Sequence, residues 1–385
     1  MTMKRLLIIG LMGLMGLMGD VKAQRLPLSE TAVASVLTCG PGDDFYTTFG
    51  HTAIRICDTA CGIDLVYNYG TFDFDTPHFY WRFMRGRLDY CLGRTAFAEF
   101  MAEYAREGRE VREQCLTMEP GQLNNLFVLL ETNFLPEYRH YRYDFFKDNC
   151  ATRVRDIVYH AWGGDTVMSR TTERESYRRL VGDNLRGTLE WWRLGIDLLF
   201  GLPADHRCSN TERMFLPAEL EAEFAECSPE GVWVAPHIVE PSRQLLAESR
   251  APLKRSVKPV WVFLLVLSVA VILTGKGLWP RWADRVLFVL AGLVGLFLCF
   301  MWVGTDHYCT QWNPNILWAN PLLILIAIRL ERSPRWSLWT VAVCMLVAVV
   351  WALWCGLSPA IPLIILTLAM RVGRLLRLSQ KPPRV

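Results

Sequence analysis

The chain has 385 residues, of which 52% are hydrophobic and 21% charged, and its net charge is +3. That length holds more than one domain, and so nearly neutral a balance leaves no electrostatic footprint for nucleic acid. The apolar residues are unevenly spread: residues 30–257 read as an ordinary globular domain, and residues 259–376 as mostly long apolar runs.

In chain order, Lys4 and Arg5 precede an apolar stretch over residues 6–19, and Val21-Lys22-Ala23 ends it with small residues at the −3 and −1 positions. This is the pattern of a secretory signal peptide, residues 1–23, cleaved before Gln24. The alternative is an uncleaved anchor, and either way the following domain is exported. The predicted organisation is an exported domain over 24–228, a linker over 229–257, a membrane domain over 258–376 and a cytoplasmic tail over 377–385.

Within the exported domain, residues 32–38 suit a buried strand that Gly40-Pro41-Gly42-Asp43 breaks. Thr52, Ile54 and Ile56 alternate with Ala53 and Arg55, as a strand requires, and residues 64–70 read as its returning partner. In such a hairpin His51 lies opposite about Asn68 or Tyr69. Residues 72–90 are dense in aromatics and arginine and predict a loop with a short helix; residues 90–93 and 110–118 predict strands. Residues 96–107 and 120–134 predict helices, the second with Leu123, Leu126, Leu129 and Leu130 on one face. The tryptophan-rich segment 180–201 packs on the core or dips into the bilayer surface, and 217–227 predicts a further helix. The fold class is therefore α+β, a small antiparallel sheet with helices, followed by an all-α membrane bundle.

Eight cysteines fall in the exported part, at 39, 57, 61, 91, 115, 150, 208 and 227. An oxidising compartment permits disulfides, and Cys57 with Cys61, and Cys208 with Cys227, each flank a short connection. Sequence does not settle the connectivity. No C-x-x-C pair or regular Cys/His spacing marks a metal site, and no cofactor is expected.

Cys150 differs from the others in its surroundings. It follows Asp148 and Asn149, both good N-caps, and Val154, Ile157 and Val158 then recur at helical spacing. A thiol in the first helical turn meets unpaired N–H groups and the positive end of the dipole, which favour thiolate. The bland reading is a small buried apolar residue. A nucleophilic cysteine needs a base, and the base needs an orienting group. His51, after Gly50 at a strand start, is the candidate base; Asn68, with Tyr69 second, is the candidate orienter. Backbone N–H groups at Cys150 would supply an oxyanion hole.

The membrane half carries five apolar runs, at about 259–275, 286–304, 315–329, 336–355 and 357–372, each near the ~20 residues needed to span a bilayer. Lys and Arg cluster in the first and third connections and in the tail, whereas the second and fourth connections carry none. By the positive-inside rule the tail is cytoplasmic and the second connection faces the exported side. That connection, residues 306–315, is dense in polar groups. His307, Asn313, Asn315 and the deeper Asn320 are expected to line a polar site at the outer leaflet, since polar groups at membrane depth are costly; a hydrated loop is the alternative.

FGHTAIRI, VYNYGTFDF and YRYDFFKDNCATRVRD together resemble a circularly permuted papain-like domain of the NlpC type, in which His precedes Cys, as in lecithin:retinol acyltransferase. The closer similarity is to the Lnb family of lipoprotein N-acyltransferases. It extends over a signal segment, a periplasmic domain with these motifs and five membrane helices, and includes Phe215–Pro217 and the His307…Asn313-x-Asn315…Asn320-Pro321 loop. The resemblance implies Cys150 as nucleophile and His51 as base, while Asn68 is an extrapolation from the fold. It also implies an inner-membrane enzyme that moves an acyl chain from a phospholipid, through a Cys150 thioester, to the α-amine of a lipoprotein's diacylglyceryl-cysteine. Tyr69, Asn149, His307, Asn313, Asn315 and Asn320 are the expected substrate contacts. Two other readings stand beside it: a membrane-anchored cysteine peptidase or amidase acting on cell-wall peptide, and a non-enzymatic lipid-handling protein.

Overall fold

The computed structural model describes residues 27–163, 175–187, 189–226, 239–250 and 257–379. The signal segment, Cys227 and most of the tail lie outside these residues.

Seven strands form one antiparallel sheet: β1 (Val33–Cys39), β2 (His51–Asp58), β3 (Ile63–Thr71), β4 (Asp89–Ala96), β5 (Val111–Cys115), β6 (His140–Arg142) and β7 (Arg243–Leu246), in the spatial order β6-β4-β3-β2-β1-β5-β7. The central strands are buried on both faces, so they lack the clean polar alternation of a half-solvated sheet. Successive side chains still divide by period two. Val36, Ile54, Ile56, Tyr67 and Leu92 enter one apolar cluster, and Leu37, Ala53 and Val66 a second on the opposite side.

The larger cluster is roofed by α3 (Pro120–Phe134), α4 (Cys150–Trp162) and α8 (Pro217–Glu226). Pro120 opens α3, the Glu119 and Gln122 capping box closes its first turn, and Leu123, Leu126, Phe127 and Leu130 face the sheet. The smaller cluster is covered by α2 (Phe97–Glu107) through Phe100 and Tyr104. The sheet is larger than the sequence suggests, because its edges come from segments with no strand pattern. The expected linker contributes β7, which pairs with β5, and Val239, which bridges Leu116.

The membrane region contains α9 (Pro259–Gly275), α10 (Arg281–Val303), α11 (Asn315–Trp318), α12 (Leu322–Arg329), α13 (Arg335–Trp354) and α14 (Ala360–Leu378). Among the described residues, α10 and α13 are long and apolar enough to cross a membrane. The third apolar run is broken around Asn320-Pro321 and lies directly on α10. A Cβ on Gly295 would come within 1.6 Å of the Ala319 carbonyl oxygen, so the bare glycine permits this contact. Inside the bundle Arg371 forks onto Asp284, Nε–Oδ1 2.6 Å and Nη2–Oδ2 2.9 Å. That planar pairing satisfies a charge that would be very costly alone there.

The two regions are sewn together through α5 (Tyr177–Leu185) and α6 (Glu190–Leu199), which follow the cysteine-bearing helix. Leu194 of α6 belongs to the membrane core. Asp197 accepts the Ser358 N–H at 2.8 Å, Arg193 donates to the Gly356 carbonyl at 3.0 Å, and the Gly201 N–H donates to the Cys309 carbonyl at 2.8 Å. Of the two expected placements for 180–201, the structure has it in the core of this junction.

Candidate active site

Cys150 is the first residue of α4, and Asn149 is its N-cap. The Asn149 Oδ1 accepts the Ala151 and Thr152 N–H groups, each at 2.9 Å. Its Nδ2 donates to the carbonyls of Phe145 (2.9 Å) and Phe215 (2.8 Å). Asn149 thus ties the helix start to two loops and is buried, with its donors and acceptor already engaged. It fixes the cysteine in place and has no group left for a substrate. Phe215, in the segment the resemblance includes, contributes one of those two carbonyls.

The cysteine lies against the start of β2 and the end of β3. The backbone N–H groups of Thr52, next to His51, and of Ala151 and Cys150 itself lie near its sulfur and favour its charged form. At the other side Gly70 has φ +91, and a Cβ there would sit 3.7 Å from the Cys150 Cβ and 3.8 Å from the Tyr141 hydroxyl. Gly70 therefore leaves a methyl-sized gap beside the Cys150 Cβ and the Tyr141 hydroxyl.

His51 Nε2 lies 3.2 Å from the Asn68 Oδ1. With that oxygen accepting, Nε2 carries the ring proton and Nδ1 keeps its lone pair. The strand register corrects the expected alignment: Ile54 pairs with Tyr67, so continuation of the ladder brings His51 toward Gly70. Asn68 reaches the imidazole diagonally. Tyr69, the second candidate, points elsewhere; its hydroxyl accepts from Asn133 at 2.8 Å and its ring is 1% exposed in the core.

Burial decides the charge states here. It lowers the His51 pKa to about 4, against a smaller opposing effect of the Asn68 hydrogen bond and with help from the Arg109 charge. It raises the Cys150 pKa above the ordinary thiol value, although three backbone N–H groups pull it down. Desolvation outweighs the nearby N–H groups at the sulfur, so it works against the thiolate that the helix terminus alone favours. Cys39, opposite His51 in the ladder, is buried and pushed up to about 12, an inert thiol.

Tyr141 opens the YRYDFFKDNCATRVRD segment but had no expected role; its hydroxyl is buried and has no hydrogen-bond partner. The Arg153 guanidinium lies 3.6 Å from its ring centroid, held by a fork onto Asp148 at 2.5 and 2.9 Å. Desolvation keeps the phenol protonated well above its usual range. Buried hydroxyls are nearly always paired, so one aimed into the gap beside a cysteine is a donor awaiting an acceptor.

The loop polar residues are placed at the junction of the two regions. His307 Nε2 is 3.1 Å from the carbonyls of Phe83 and Met84. Asn313 donates to the Leu198 and Leu199 carbonyls at 2.8 and 2.9 Å, and Asn315 to the Asp197 carbonyl at 2.9 Å. These two asparagines close the end of α6, whose last carbonyls lack helical partners. Asn320 accepts the Leu322 N–H at 3.0 Å. The same loop reaches the apolar cluster around Phe146 through Tyr308 and Cys309, and Phe49, two residues before His51, and Phe145, five before Cys150, pack against that cluster too. Lys147 stands 3.5 Å from the Tyr308 ring centroid.

Cys57 and Cys61 carry free thiols, contrary to the expected bridge. Cys57 pairs across the ladder with Asp64 and stays in register, while Cys61 turns to the Asp58 carboxylate. Cys208 is buried and free. Among the described residues no group of three His, Cys, Asp or Glu side chains is arranged to hold a metal ion.

Fold and site together define a membrane protein whose mixed α/β domain sets the helix that starts at Cys150 against the strand that starts at His51. Two family models match the chain, the Lnb N-terminal periplasmic domain over residues 24–180 and the Lnb transmembrane domain over residues 252–382. The chain belongs to the Lnb family and is a membrane protein with a periplasmic domain. No curated protein and no solved structure matches it significantly.

Proposed function

We propose that this protein is a lipoprotein N-acyltransferase of the inner membrane, with Cys150 as nucleophile, His51 as general base and Asn68 as its orienting partner. The exported domain is a permuted papain-like unit, with His before Cys and an amide holding the imidazole. The membrane region crosses five times and leaves the C-terminus in the cytoplasm. Membership of the Lnb family supports the role in lipoprotein maturation.

The reaction has two halves. His51 Nδ1 takes the Cys150 proton as the sulfur attacks an ester carbonyl of a phospholipid. The Tyr141 hydroxyl and the Thr52 N–H group receive the negative charge that develops on the carbonyl oxygen. Collapse breaks the ester C–O bond, the imidazolium returns its proton to the departing alkoxide, and a lysophospholipid leaves behind an acyl-thioester. The neutral α-amine of a diacylated lipoprotein's N-terminal cysteine then attacks that thioester. His51 takes a proton from the nitrogen, the C–S bond breaks, and the thiol is reprotonated. The product is an amide.

One observation carries the lipid reading: the loop at the outer end of α10 shares one apolar cluster with Phe49 and Phe145, which stand just before His51 and Cys150 in the chain. A peptidase of the aqueous cell wall gains nothing from that contact. The test is expression in cells lacking their own N-acyltransferase, followed by mass spectrometry of a lipoprotein N-terminus. Wild type adds one acyl chain, and Cys150→Ser and His51→Ala add none. An unmodified α-amine with well-expressed, membrane-inserted wild type overturns the activity; acylation by Cys150→Ser overturns the mechanism alone.

A further inference from the structure

The aromatic segment between β3 and β4 has no task in the chemistry above. It contains α1 (Phe79–Met84), and it leaves Phe74 58%, Tyr80 81%, Trp81 50% and Phe83 38% exposed. Large aromatics clustered on a surface mark a binding face, and here the place of the face in the molecule identifies its occupant.

The segment is fastened to the outer end of α10. Trp81 stacks on Phe300 with ring centroids 6.0 Å apart, Arg85 donates to the Gly304 carbonyl at 3.1 Å, Arg87 pairs with Asp306 at 2.8 Å, and His307 bonds the last carbonyls of α1. Phe300 precedes the helix end, Val303, by three residues, about 4.5 Å along the axis at ~1.5 Å per residue. Val303 itself is 82% exposed. The exposed rings of α1 thus continue the apolar surface of a membrane helix at its boundary, the depth where tyrosine and tryptophan gather.

From that face the rings run inward without a break. Phe83 stacks on Phe79 (6.2 Å), Phe79 meets Phe72 (5.7 Å), Phe72 meets Tyr90 (5.4 Å), and Tyr90 stacks on Tyr143 (4.6 Å) and contacts Tyr141 (6.4 Å). Tyr141 borders the gap beside Cys150. We infer that α1 and its preceding loop dip into the outer leaflet, and that the ring series from Phe83 to Tyr141 guides a lipid acyl chain from the leaflet to Cys150. The occupant is hydrocarbon, because the exposed face is built of the Phe74, Tyr80 and Trp81 rings and the nearby Arg85 and Arg87 are already engaged by Gly304 and Asp306. The leaflet contact rests only on the membrane domain; the guiding role rests on the acyl-enzyme reading.

The test uses full-length protein in vesicles of phosphatidylethanolamine and phosphatidylglycerol. A photo-crosslinking phenylalanine derivative replaces Tyr80 or Phe83, and, as control, Val128, which is exposed on α3. Lipid adducts form at 80 and 83 well above the level at 128; equal levels overturn the leaflet contact. Acylation of Cys150 is then followed with long-chain phospholipid and with a soluble short-chain p-nitrophenyl ester. The double variant Tyr80→Asp with Phe83→Asp lowers the ratio of phospholipid to short-ester reaction roughly tenfold, as removal of a membrane-seated apolar face requires. Val128→Asp keeps the wild-type ratio. An unchanged ratio in the double variant overturns the guiding role. Absence of any short-ester acylation at Cys150 in wild type overturns the acyl-enzyme reading instead, and the crosslinks still decide the leaflet contact.

Discussion

Replacing Tyr141 by phenylalanine removes one oxygen atom and keeps the ring under Arg153. In the resting protein that oxygen is buried without a partner. Deleting it therefore breaks no hydrogen bond and relieves a desolvation cost of ~1–3 kcal/mol that the hydroxyl bears in the folded state. Stability should hold or rise slightly. If the hydroxyl receives the developing oxyanion, its loss should slow acyl-thioester formation by about 10²–10³-fold, ~2.7–4 kcal/mol of transition-state stabilisation. Phospholipid affinity should change little, because the contact strengthens only as charge develops. The assay is single-turnover formation of the Cys150 thioester in vesicles, followed by intact mass, beside thermal unfolding in detergent. A rate within threefold of wild type, or a fall in stability that matches the loss of activity, refutes the assignment.

The remaining predictions concern charge, position and assembly. The first half-reaction keeps its rate as pH falls from 7 and is lost near pH 4. A base with a lowered pKa stays in its neutral working form above that value and protonates below it; an acid limb at pH 6.5 would contradict the buried imidazole. Gly70→Ala places a methyl group in the gap and forces φ +91 on an alanine, so thioester formation falls at least ~10-fold by misplacement of the reacting atoms; wild-type kinetics count against the gap as the acyl site. Asn149→Ala removes the cap and orphans two carbonyls, at a cost of ~1–3 kcal/mol in thermal or denaturant unfolding; a neutral effect removes its positioning role. Asp197→Ala orphans the Ser358 N–H and takes the carboxylate from Arg193, while Arg178 keeps Asp205, which destabilises by ~1–3 kcal/mol and opens α6 to proteolysis; a protease-resistant variant disproves the seam.

Much of the site was legible because its signals are local. Asn149 before Cys150 and an apolar repeat after it specify a helix start wherever the segment lies. The alternation of residues 52–56 likewise specifies a strand with His51 at its entry. Asn68 was legible only through an assumed register. The true register differs, and the imidazole still finds the amide because a side chain reaches diagonally across a ladder. Tyr141 lay inside a recognised segment, but nothing in the sequence singled out its hydroxyl, since an unpaired hydroxyl is a property of its surroundings. The loop residues His307, Asn313 and Asn315 were visible as polar groups beside the membrane, but their partners, backbone carbonyls of α1 and α6, lie more than a hundred residues away.

The sequence by itself determined an exported domain joined to a membrane domain, the order of His and Cys, and most helices and central strands. These follow from periodicity, caps and hydropathy, which act over a few residues. Only the tertiary structure decided the edge strand β7, the docking of α6 in the membrane core and the run of ring contacts from Phe83 to Tyr141. It also brought in the desolvation that opposes the helix terminus at Cys150. A helix terminus favours thiolate from within one turn, whereas desolvation sums over every neighbouring atom, and those neighbours exist only once the chain has folded.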